Sequence, residues 1–444
     1  MGIRKQLLAR CLTILCLGIA GCGRPSGESE TEPVPESLSE PVLNEHGKIE
    51  ITFQGWSFVL NTMINDYNCQ SDKYEIVVLE QDESVDTIEE NQAETDRELL
   101  ELMAGRGADL YDELFFIGGN PAPFLEKGVM LDMTDFLSGH TELVPQVLEN
   151  MKWKDRYYGV PVGFNIRTLI TREDLATERS EWTPEKSMEP LENGQAGIYI
   201  AGRDNAGTLC ELYPSWKERL VDTEGKKSLI KGPDFARLME FSRAYGDPGS
   251  REDILYRIRS GEVANVYATI GSLYDLGKWS FVYQQKENII GFPSAQGSYY
   301  QMGIYTFYVN ANTKNREGVM DFLEFCLSEE EQSHFQYENQ KMVFSVLQEK
   351  LEKSWKNVKV NGIYDAYYTR DGIENRFDEK MTEEDEELFW DMLNRSRRVF
   401  GDAWNEPIFK IIREESKAYF EGQKSLEQVT ELIDNRVQLY LNEQ

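Results

Sequence analysis

The sequence predicts an α/β fold in two lobes, each a mostly parallel sheet flanked by helices, with a helical C-terminus. Strand and helix patterns alternate between residues 48 and 120, which is typical of parallel sheets. A chain of 444 residues is too long for one hydrophobic core, which favours two lobes. Apolar residues recur at helical spacing through residues 407–444, which indicates closing helices.

The first residues have the order of a secretory signal. Basic Arg4, Lys5 and Arg10 precede an apolar run over residues 12–20, and small residues lead to Cys22. The run is about half of the roughly 20 residues that a membrane-spanning helix needs. We therefore predict a signal peptide over residues 1–21. An ordinary secreted protein or an uncleaved anchor is the alternative.

A polar segment, residues 22–47, separates this signal from the body. It carries Pro25, Pro33, Pro35 and Pro41 among serines and glutamates and has no apolar periodicity. Such a composition cannot bury enough apolar surface to fold. We predict a disordered acidic tether.

The charge balance restricts the partners. The chain has 47 basic and 78 acidic residues, a net charge of −31, and losing three basic but no acidic residues with the signal makes it −34. Such a surface repels phosphate backbones and anionic lipid, so we expect no nucleic-acid partner. It mildly disfavours anionic solutes, although the charge of a pocket can differ from the mean.

Cysteine and histidine are too scattered to predict a metal site or a histidine-dependent catalytic triad, and we expect no cofactor. The histidines are His46, His140 and His334. Cys326 lies on an apolar helix face and is expected to be buried. A disulfide between Cys69 and Cys210 is left open, because nothing in their spacing requires it.

The body begins with strand KIEITFQ, helix VLNTMINDYN and strand YEIVVLE. An acidic insertion over residues 82–96 follows, then a helix, and then a strand in ELFFIGGN, residues 113–120. The segment YYGVPVGFNIRTLIT, residues 157–171, has a kinkable Gly-Val-Pro-Val-Gly core. We interpret it as the crossing from the first lobe to the second.

The second lobe is predicted to contain strands GIYIA, NVYATIGS and IIGFP and helices FARLMEFSRAY and ILYRIRSG. IYTFYVNAN is predicted to be a return strand, followed by helix EGVMDFLEFCLS. Ser425 and Gln428 form a capping box before the last helix. The predicted boundaries are 48–160 with 305–345 for lobe one, and 161–304 with 346–444 for lobe two.

Several segments carry a family resemblance. Ile19-Ala20-Gly21-Cys22 resembles the bacterial lipobox, which implies acylation of Cys22. Five further segments, in order, resemble the sugar-type "family 1" group of bacterial extracellular solute-binding proteins: LMAGRGADLYD, FLEKGVMLDMTDFL, YYGVPVGFNIRTLITRED, YVNANTKNREGVMDFLEFCLSEEEQ and AYFEGQKSLEQVTELIDNRVQLYLNEQ.

The resemblance implies a two-lobed periplasmic-binding-protein-like fold on a lipid-anchored, extracellular, monomeric protein. Such a protein captures a small solute, here a sugar, and delivers it to the permease of an ABC importer without chemical change. Closure is expected to hinge near residues 161–163. The chain has no Gly-Lys-[Ser/Thr] phosphate loop, so the ATPase is a separate subunit.

The expected ligand site lies beyond the carboxyl ends of the strands. Sugars stack on aromatic rings and bond to planar polar groups and backbone amides. The candidates are Trp56, Gly118, Gly119, Asn120, Tyr158, Phe164, Asn165, Gly271, Trp279, Tyr300 and Tyr305. For each aromatic residue the alternative is core packing, and for the glycines it is a plain turn.

Two other function classes remain open: a cell-surface glycosidase and a sensory or adhesive lipoprotein on the same fold. A glycosidase needs two carboxyl groups about 5–10 Å apart across a sugar site. The acidic runs at Asp112-Glu113 and residues 383–387 are interpreted as solvated faces instead. Peptides, polyamines and metal chelates remain alternative ligands.

Overall fold

A computed structural model describes residues 43–55, 57–79, 97–113, 121–247, 249, 257–258, 260–277, 288–337, 343–362, 366–370, 373–377, 380–398 and 406–443. The predicted signal, Cys22, the acidic insertion and most of the tether lie outside these residues. Trp56, Gly118, Gly119, Asn120 and Trp279 also lie outside them. None of the described helices combines the length and the apolar composition that a membrane crossing requires.

The strands are β1 Ile49–Gln54, β2 Tyr74–Val78, β3 Leu110–Asp112, β4 Gly159–Thr171, β5 Ile198–Ile200, β6 Val221–Asp222, β7 Lys227–Ser228, β8 Val263–Ile270, β9 Tyr300–Val309, β10 Ala366–Arg370, β11 Ile373–Phe377 and β12 Ser396–Arg398. Eight of them form one sheet in the order β2-β1-β3-β9-β4-β8-β5, with β12 beside β9. The pairs β6–β7 and β10–β11 stand apart.

The large sheet has parallel outer parts joined by antiparallel crossing strands. Strand β1 pairs in parallel with β2 and β3 at one end, and β5 pairs in parallel with β8 at the other. The long strands β4 and β9 join these parts through antiparallel pairs β3–β9, β9–β4 and β4–β8. The predicted α/β class is confirmed, and the predicted crossing and return strands are the two central strands.

The helices are α1 Phe58–Gln70, α2 Ala122–Glu126, α3 Thr134–Ser138, α4 Pro145–Met151, α5 Pro184–Glu192, α6 Asn205–Leu220, α7 Pro233–Tyr245, α8 Arg316–Leu327, α9 Glu329–Tyr337, α10 Gln348–Asn361, α11 Glu383–Asn394, α12 Pro407–Phe420 and α13 Leu426–Glu443. Residues 97–103 are also helical. The capping box before α13 is confirmed: the Gln428 backbone donates to Ser425 Oγ at 3.2 Å, and the Ser425 backbone to Gln428 Oε1 at 3.0 Å.

Two large hydrophobic clusters lie along the sheet. The first surrounds β1, α1 and α8 and includes Phe53, Phe322 and the buried Cys326. The second surrounds α6, α7, α12 and α13 and includes Trp216 and Phe409. Strand β4 contributes to both clusters. Trp355 and Phe389, from the part of the sequence assigned to lobe two, pack in the first cluster.

Two of the resembling segments meet around Asp109, and their role there is structural. Asp109 Oδ2 accepts hydrogen bonds from the backbone and hydroxyl of Thr52, both at 2.9 Å. Its Oδ1 accepts from the Thr313 hydroxyl at 2.5 Å. Asn310 donates to the Ala108 carbonyl at 3.0 Å. The Gly-x-Gly-x-Asp segment therefore ties β1 to the turn that follows β9.

The third strand differs from the prediction. It covers Leu110–Asp112 and pairs on both sides, with β1 and with β9, whereas the sequence placed it at residues 113–120, of which 114–120 lie outside the described residues. The apolar residues of ELFFI gave the stronger strand signal, but pairing begins earlier, within the charged stretch. IIGFP was likewise predicted as a strand, and it forms only isolated bridges, at Ile289 and Phe292.

The solvated-face interpretation of Asp112 and Glu113 is wrong. Asp112 is fully buried and accepts a hydrogen bond from the Ser57 backbone at 2.9 Å. Glu113 forms an ion pair with Arg398 at 2.6 Å. Both acids serve packed structure, because each has a local donor that offsets its desolvation. In the second run, Glu383, Glu384 and Glu387 are exposed, whereas Asp385 is buried and caps α11.

Cys69 and Cys210 do not form a disulfide. Both are free cysteines, with Cys69 exposed and Cys210 buried in the second cluster. The pairing that the sequence left open is therefore absent.

Candidate functional site

The crossing strand β4 carries a bulge where the predicted hinge lies. Its pairing with β9 shifts register between Pro161 and Gly163, as expected of a proline in a central strand, because proline has no backbone N–H for the ladder. Gln332 Nε2 donates to the Val162 carbonyl at 2.9 Å. The irregular backbone is therefore held by a buried side chain rather than by a neighbouring strand.

Beyond the bulge, one side of the crossing strands carries polar groups. The pairs Asn165–Gly303 and Arg167–Gln301 link β4 to β9, and Arg167–Thr269 links β4 to β8. Directly paired residues share a face of the sheet, as do residues two apart in a strand. We call this side the polar face: Asn165, Arg167, Tyr267, Thr269, Gln301, Gly303 and Tyr305.

Asn165 is the most deeply buried amide of the polar face. It is 4% exposed, and its Nδ2 donates to the Tyr305 hydroxyl at 3.3 Å. Its Oδ1 is buried and accepts no hydrogen bond from the residues that the structure describes. A buried acceptor without a donor costs about 1–3 kcal/mol, so Asn165 Oδ1 is a place where a ligand donor would stabilise the protein.

Gly303 gives this amide its room. A Cβ at Gly303 would lie 2.7 Å from Asn165 Oδ1 and 3.5 Å from Arg167 Nη2. Only glycine accommodates the first contact without displacing the amide, so Gly303 lets the Asn165 amide and the Arg167 guanidinium lie side by side over its backbone.

The tyrosines of the polar face stay neutral near physiological pH. Burial raises the pKa of Tyr305, and the nearby Arg167 and the Asn165 amide partly oppose that rise. Burial likewise raises the pKa of Tyr267, again opposed by Arg167. Both hydroxyls can therefore donate and accept hydrogen bonds.

A separate small recess lies beside the start of β4. It is lined by Pro121, Leu125, Met151, Lys152, Trp153, Tyr158, Gly159, Tyr308 and Arg398. Arg398 donates to the Tyr308 hydroxyl at 2.9 Å as well as pairing with Glu113. The recess combines aromatic walls with a charged end.

The predicted site residues fall into three groups. Asn165 and Tyr305 meet on the polar face, and the half-buried Tyr158 lines the recess. Phe164 and Tyr300 pack in the first cluster instead: Phe164 lies 5.3 Å from Phe344, ring to ring, and the Tyr300 hydroxyl donates to the Ile289 carbonyl at 3.2 Å.

The remaining described candidate, Gly271, is buried in a turn, where its N–H donates to Asp275 at 3.1 Å. The sequence prediction missed the other members of the polar face: Arg167, Tyr267, Thr269, Gln301 and Gly303. For Arg167 the available signal was the one charged residue in the strand segment FNIRTLI, next to the polar Asn165 and Thr168.

One group of possible metal ligands occurs among the described residues. Asp66, Glu331 and His334 bring ligand atoms within 4.8 Å of one another. They lie on α1 and α9, and none belongs to the polar face. Nothing further in the described residues indicates an ion there.

The sequence matches the family model of bacterial extracellular solute-binding proteins over residues 85–333, more than half of the chain. The chain therefore belongs to this family. A search of curated proteins found no match.

Solved structures share the fold. The sugar-binding protein MalE from Xanthomonas citri covers 89% of this chain and 98% of its own, with 14% identity and a TM-score of 0.55. An ABC substrate-binding protein from Listeria monocytogenes in complex with cycloalternan covers 89% and 99%, with 13% identity and a TM-score of 0.53. The fold is thus the two-lobed type of these binding proteins, as predicted.

Proposed function

We propose that this protein is a lipid-anchored extracellular receptor that captures a carbohydrate and delivers it to the permease of an ABC importer. It makes and breaks no bond. Membership of the solute-binding family supports capture of a small solute. The similar structures were solved as a sugar-binding protein and as a complex with cycloalternan, which favours a sugar.

The observation that carries this proposal is the polar face. Tyrosine rings suit the C–H faces of a sugar, and the amides of Asn165 and Gln301 and the Thr269 hydroxyl suit its hydroxyl groups. Asn165 Oδ1, which has no donor among the described residues, gives a sugar hydroxyl a buried acceptor. A few placed polar groups beside apolar surface are typical of small-molecule sites.

Hinge closure is the proposed motion. The two hydrophobic clusters share strand β4, and the bulge at Pro161–Gly163 interrupts its ladder with β9. A register irregularity next to glycine is a position that can absorb a change of backbone angles. We place the two lobes at residues 48–160 with 305–345 and at residues 161–304 with 346–444, with the polar face near their junction.

Anchoring rests on the N-terminal sequence. Acylated Cys22 would hold the protein at the outer face of the membrane, with the tether spacing a monomeric body from the surface. Metabolic labelling with a fatty acid should label the full-length protein and leave a Cys22→Ser variant unlabelled. Equal labelling of both would contradict this part of the proposal.

The main test is binding. Calorimetry and thermal-shift measurements on the body from residue 43 onward, against mono- and oligosaccharides, should find a sugar that raises the melting temperature. Small-angle scattering should show a smaller radius of gyration with that sugar. If no saccharide binds, the receptor proposal is wrong. Turnover of an aryl glycoside would favour the glycosidase alternative.

A further inference from the structure

We propose that the captured saccharide carries an anionic group, a carboxylate in the first instance, and that Arg167 on the polar face pairs with it. This inference rests on the proposed function, because it names the chemical class of the sugar. It concerns a residue that the sequence pattern did not predict.

Among the described residues, Arg167 has no ion-pair partner, whereas other partly buried arginines have one. Its side chain is half-buried, and within the described ranges it forms no ion pair and no side-chain hydrogen bond. By contrast, Arg172, Arg203, Arg257 and Arg398 have side chains between 5% and 26% exposed, and each contacts a carboxylate.

This difference is informative because acidic residues are abundant. The chain has 78 acidic residues against 47 basic ones, so carboxylates were available to neutralise one more arginine. Withdrawing a guanidinium from water without a partner is unfavourable. A half-buried arginine that no described carboxylate neutralises, on a face of polar side chains, is suited to a ligand anion.

The surroundings of Arg167 leave it a net positive charge. Arg203 stacks over the Tyr267 ring, with its guanidinium carbon 4.9 Å from the ring centroid, and it pairs with Glu211 at 2.8 Å. Glu211 therefore balances Arg203. Among the described residues of the polar face itself, Arg167 is the charged side chain. The local charge thus opposes the net charge of −31 of the whole chain.

Arg167 and Asn165 can bind two parts of one ligand. Both residues lie beside Gly303: a Cβ there would lie 2.7 Å from Asn165 Oδ1 and 3.5 Å from Arg167 Nη2, so the two groups are neighbours on the same side of the sheet. The guanidinium is a planar fork that suits a carboxylate bidentately. Asn165 Oδ1 accepts only from a donor, such as a sugar hydroxyl. A uronic acid presents both groups, whereas a neutral sugar presents only the second.

Sulfate and phosphate esters offer an arginine similar oxygens, so the experiment includes them. Calorimetry would compare galacturonate with galactose, glucuronate with glucose, and glucose 6-phosphate and glucose 6-sulfate with glucose, each also as part of a short oligosaccharide. We expect an anionic member to bind about 10- to 100-fold more tightly than its neutral twin, the range for charge-assisted hydrogen bonds. Its affinity should fall with added salt.

Variants then assign the preference to Arg167. Arg167→Gln should remove the preference for the anionic sugar while binding of the neutral twin persists, and Arg167→Lys should restore part of it. Arg243→Gln is the matched control, since it makes the same charge change at an exposed residue that stacks on Tyr419. It should leave the preference intact. Melting curves confirm that each variant folds.

The outcomes separate this inference from the proposal on which it rests. If neutral sugars bind as tightly as their anionic twins, or if Arg167→Gln keeps the preference, the inference is wrong and the sugar receptor stands. If neither anionic nor neutral saccharides bind, both are wrong. Preference for a phosphate or sulfate ester over a uronate supports the anionic inference and identifies the ester as the group.

Discussion

The two faces of strand β4 differ sharply in chemistry although their residues alternate along one short segment, residues 164–170. On one face, Phe164, Ile166 and Ile170 are at most 1% exposed and join the first hydrophobic cluster. On the other, Asn165 and Arg167 stand among tyrosines and paired strands. The apolar face holds the sheet to its helices. On the polar face, Tyr267 and Tyr305 pack against the two clusters, but Asn165 Oδ1 accepts no hydrogen bond from the described residues.

This difference shows how a function can be read from a central strand. A strand buried on both sides normally has a nearly continuous apolar sequence. Polar residues that persist there without full hydrogen bonding lower stability, so they indicate a role outside folding. We therefore expect stability to depend mainly on the apolar face of β4 and ligand binding on the polar face.

Truncating the apolar face should have the largest effect. Ile166→Ala should lower the free energy of unfolding by about 2–5 kcal/mol, because it removes buried methylenes and leaves a cavity. Ile166→Val should cost about 0.5–1.5 kcal/mol. Urea unfolding followed by circular dichroism measures both. If Ile166→Ala lowered the free energy of unfolding by less than Asn165→Ala does, the apolar face would not be the main source of stability.

The stability of the protein at alkaline pH should depend on Tyr300, which lies on the apolar side of the sheet. Burial raises the pKa of Tyr300 to about 12. The unfolded chain ionises near pH 10 and the folded chain does so later, so this tyrosine makes stability fall as the pH rises from about 10 to 12.

Across that pH interval, the free energy of unfolding of Tyr300→Phe should therefore fall by about 2–3 kcal/mol less than that of the wild type. At neutral pH the variant should be about 1 kcal/mol less stable than the wild type, because it lacks only the hydrogen bond to the Ile289 carbonyl. Identical pH slopes for the two proteins would show that Tyr300 ionises freely in the folded state.

On the polar face, Tyr305→Phe should cost about 0.5–1.5 kcal/mol of stability, since it removes the hydroxyl that accepts from Asn165 Nδ2. Sugar affinity should fall several-fold in the same variant. Thermal unfolding and calorimetry give the two values. Unchanged affinity would place the ligand away from this hydroxyl.

Asn165→Ala should change stability least, by under about 1 kcal/mol. It removes one hydrogen bond but also removes the buried acceptor Oδ1 that has no donor, and the two effects oppose each other. Sugar binding should fall at least tenfold. Asn361→Ala, an exposed change on α10, serves as the control and should affect neither quantity. Undiminished binding by the Asn165 variant would contradict the site.

Much of the fold follows from local pattern. The crossing strand, the return strand, α8 and the closing helices were predicted where they occur, because long periodic segments between glycines and prolines leave few alternatives. The start of β3 was not, since Leu110–Asp112 is fixed by partners in β1 and β9 that are distant in sequence.

The site was only partly predictable for a similar reason. Asn165 and Tyr305 were found because both follow recognised elements. The face of the sheet on which Phe164 lies depends on the bulge at residues 161–163, because the bulge interrupts the alternation of side chains between the two faces of the strand. Burial of Asp112 and Glu113 depends on the Ser57 backbone and on Arg398, and no local pattern shows such distant donors.

The position of the last two helices has a consequence for how the chain acquires its shape. Ile408, Ile412, Val429 and Val437 complete the same cluster as Leu169 and Trp216. The ribosome synthesises the N-terminal part of a chain first. The apolar residues of this cluster that come earlier in the sequence therefore stay exposed while more than 150 intervening residues are made. Contacts so distant along the chain form slowly. A chaperone that binds these exposed apolar residues until synthesis ends would protect the chain from aggregation while its second cluster is incomplete.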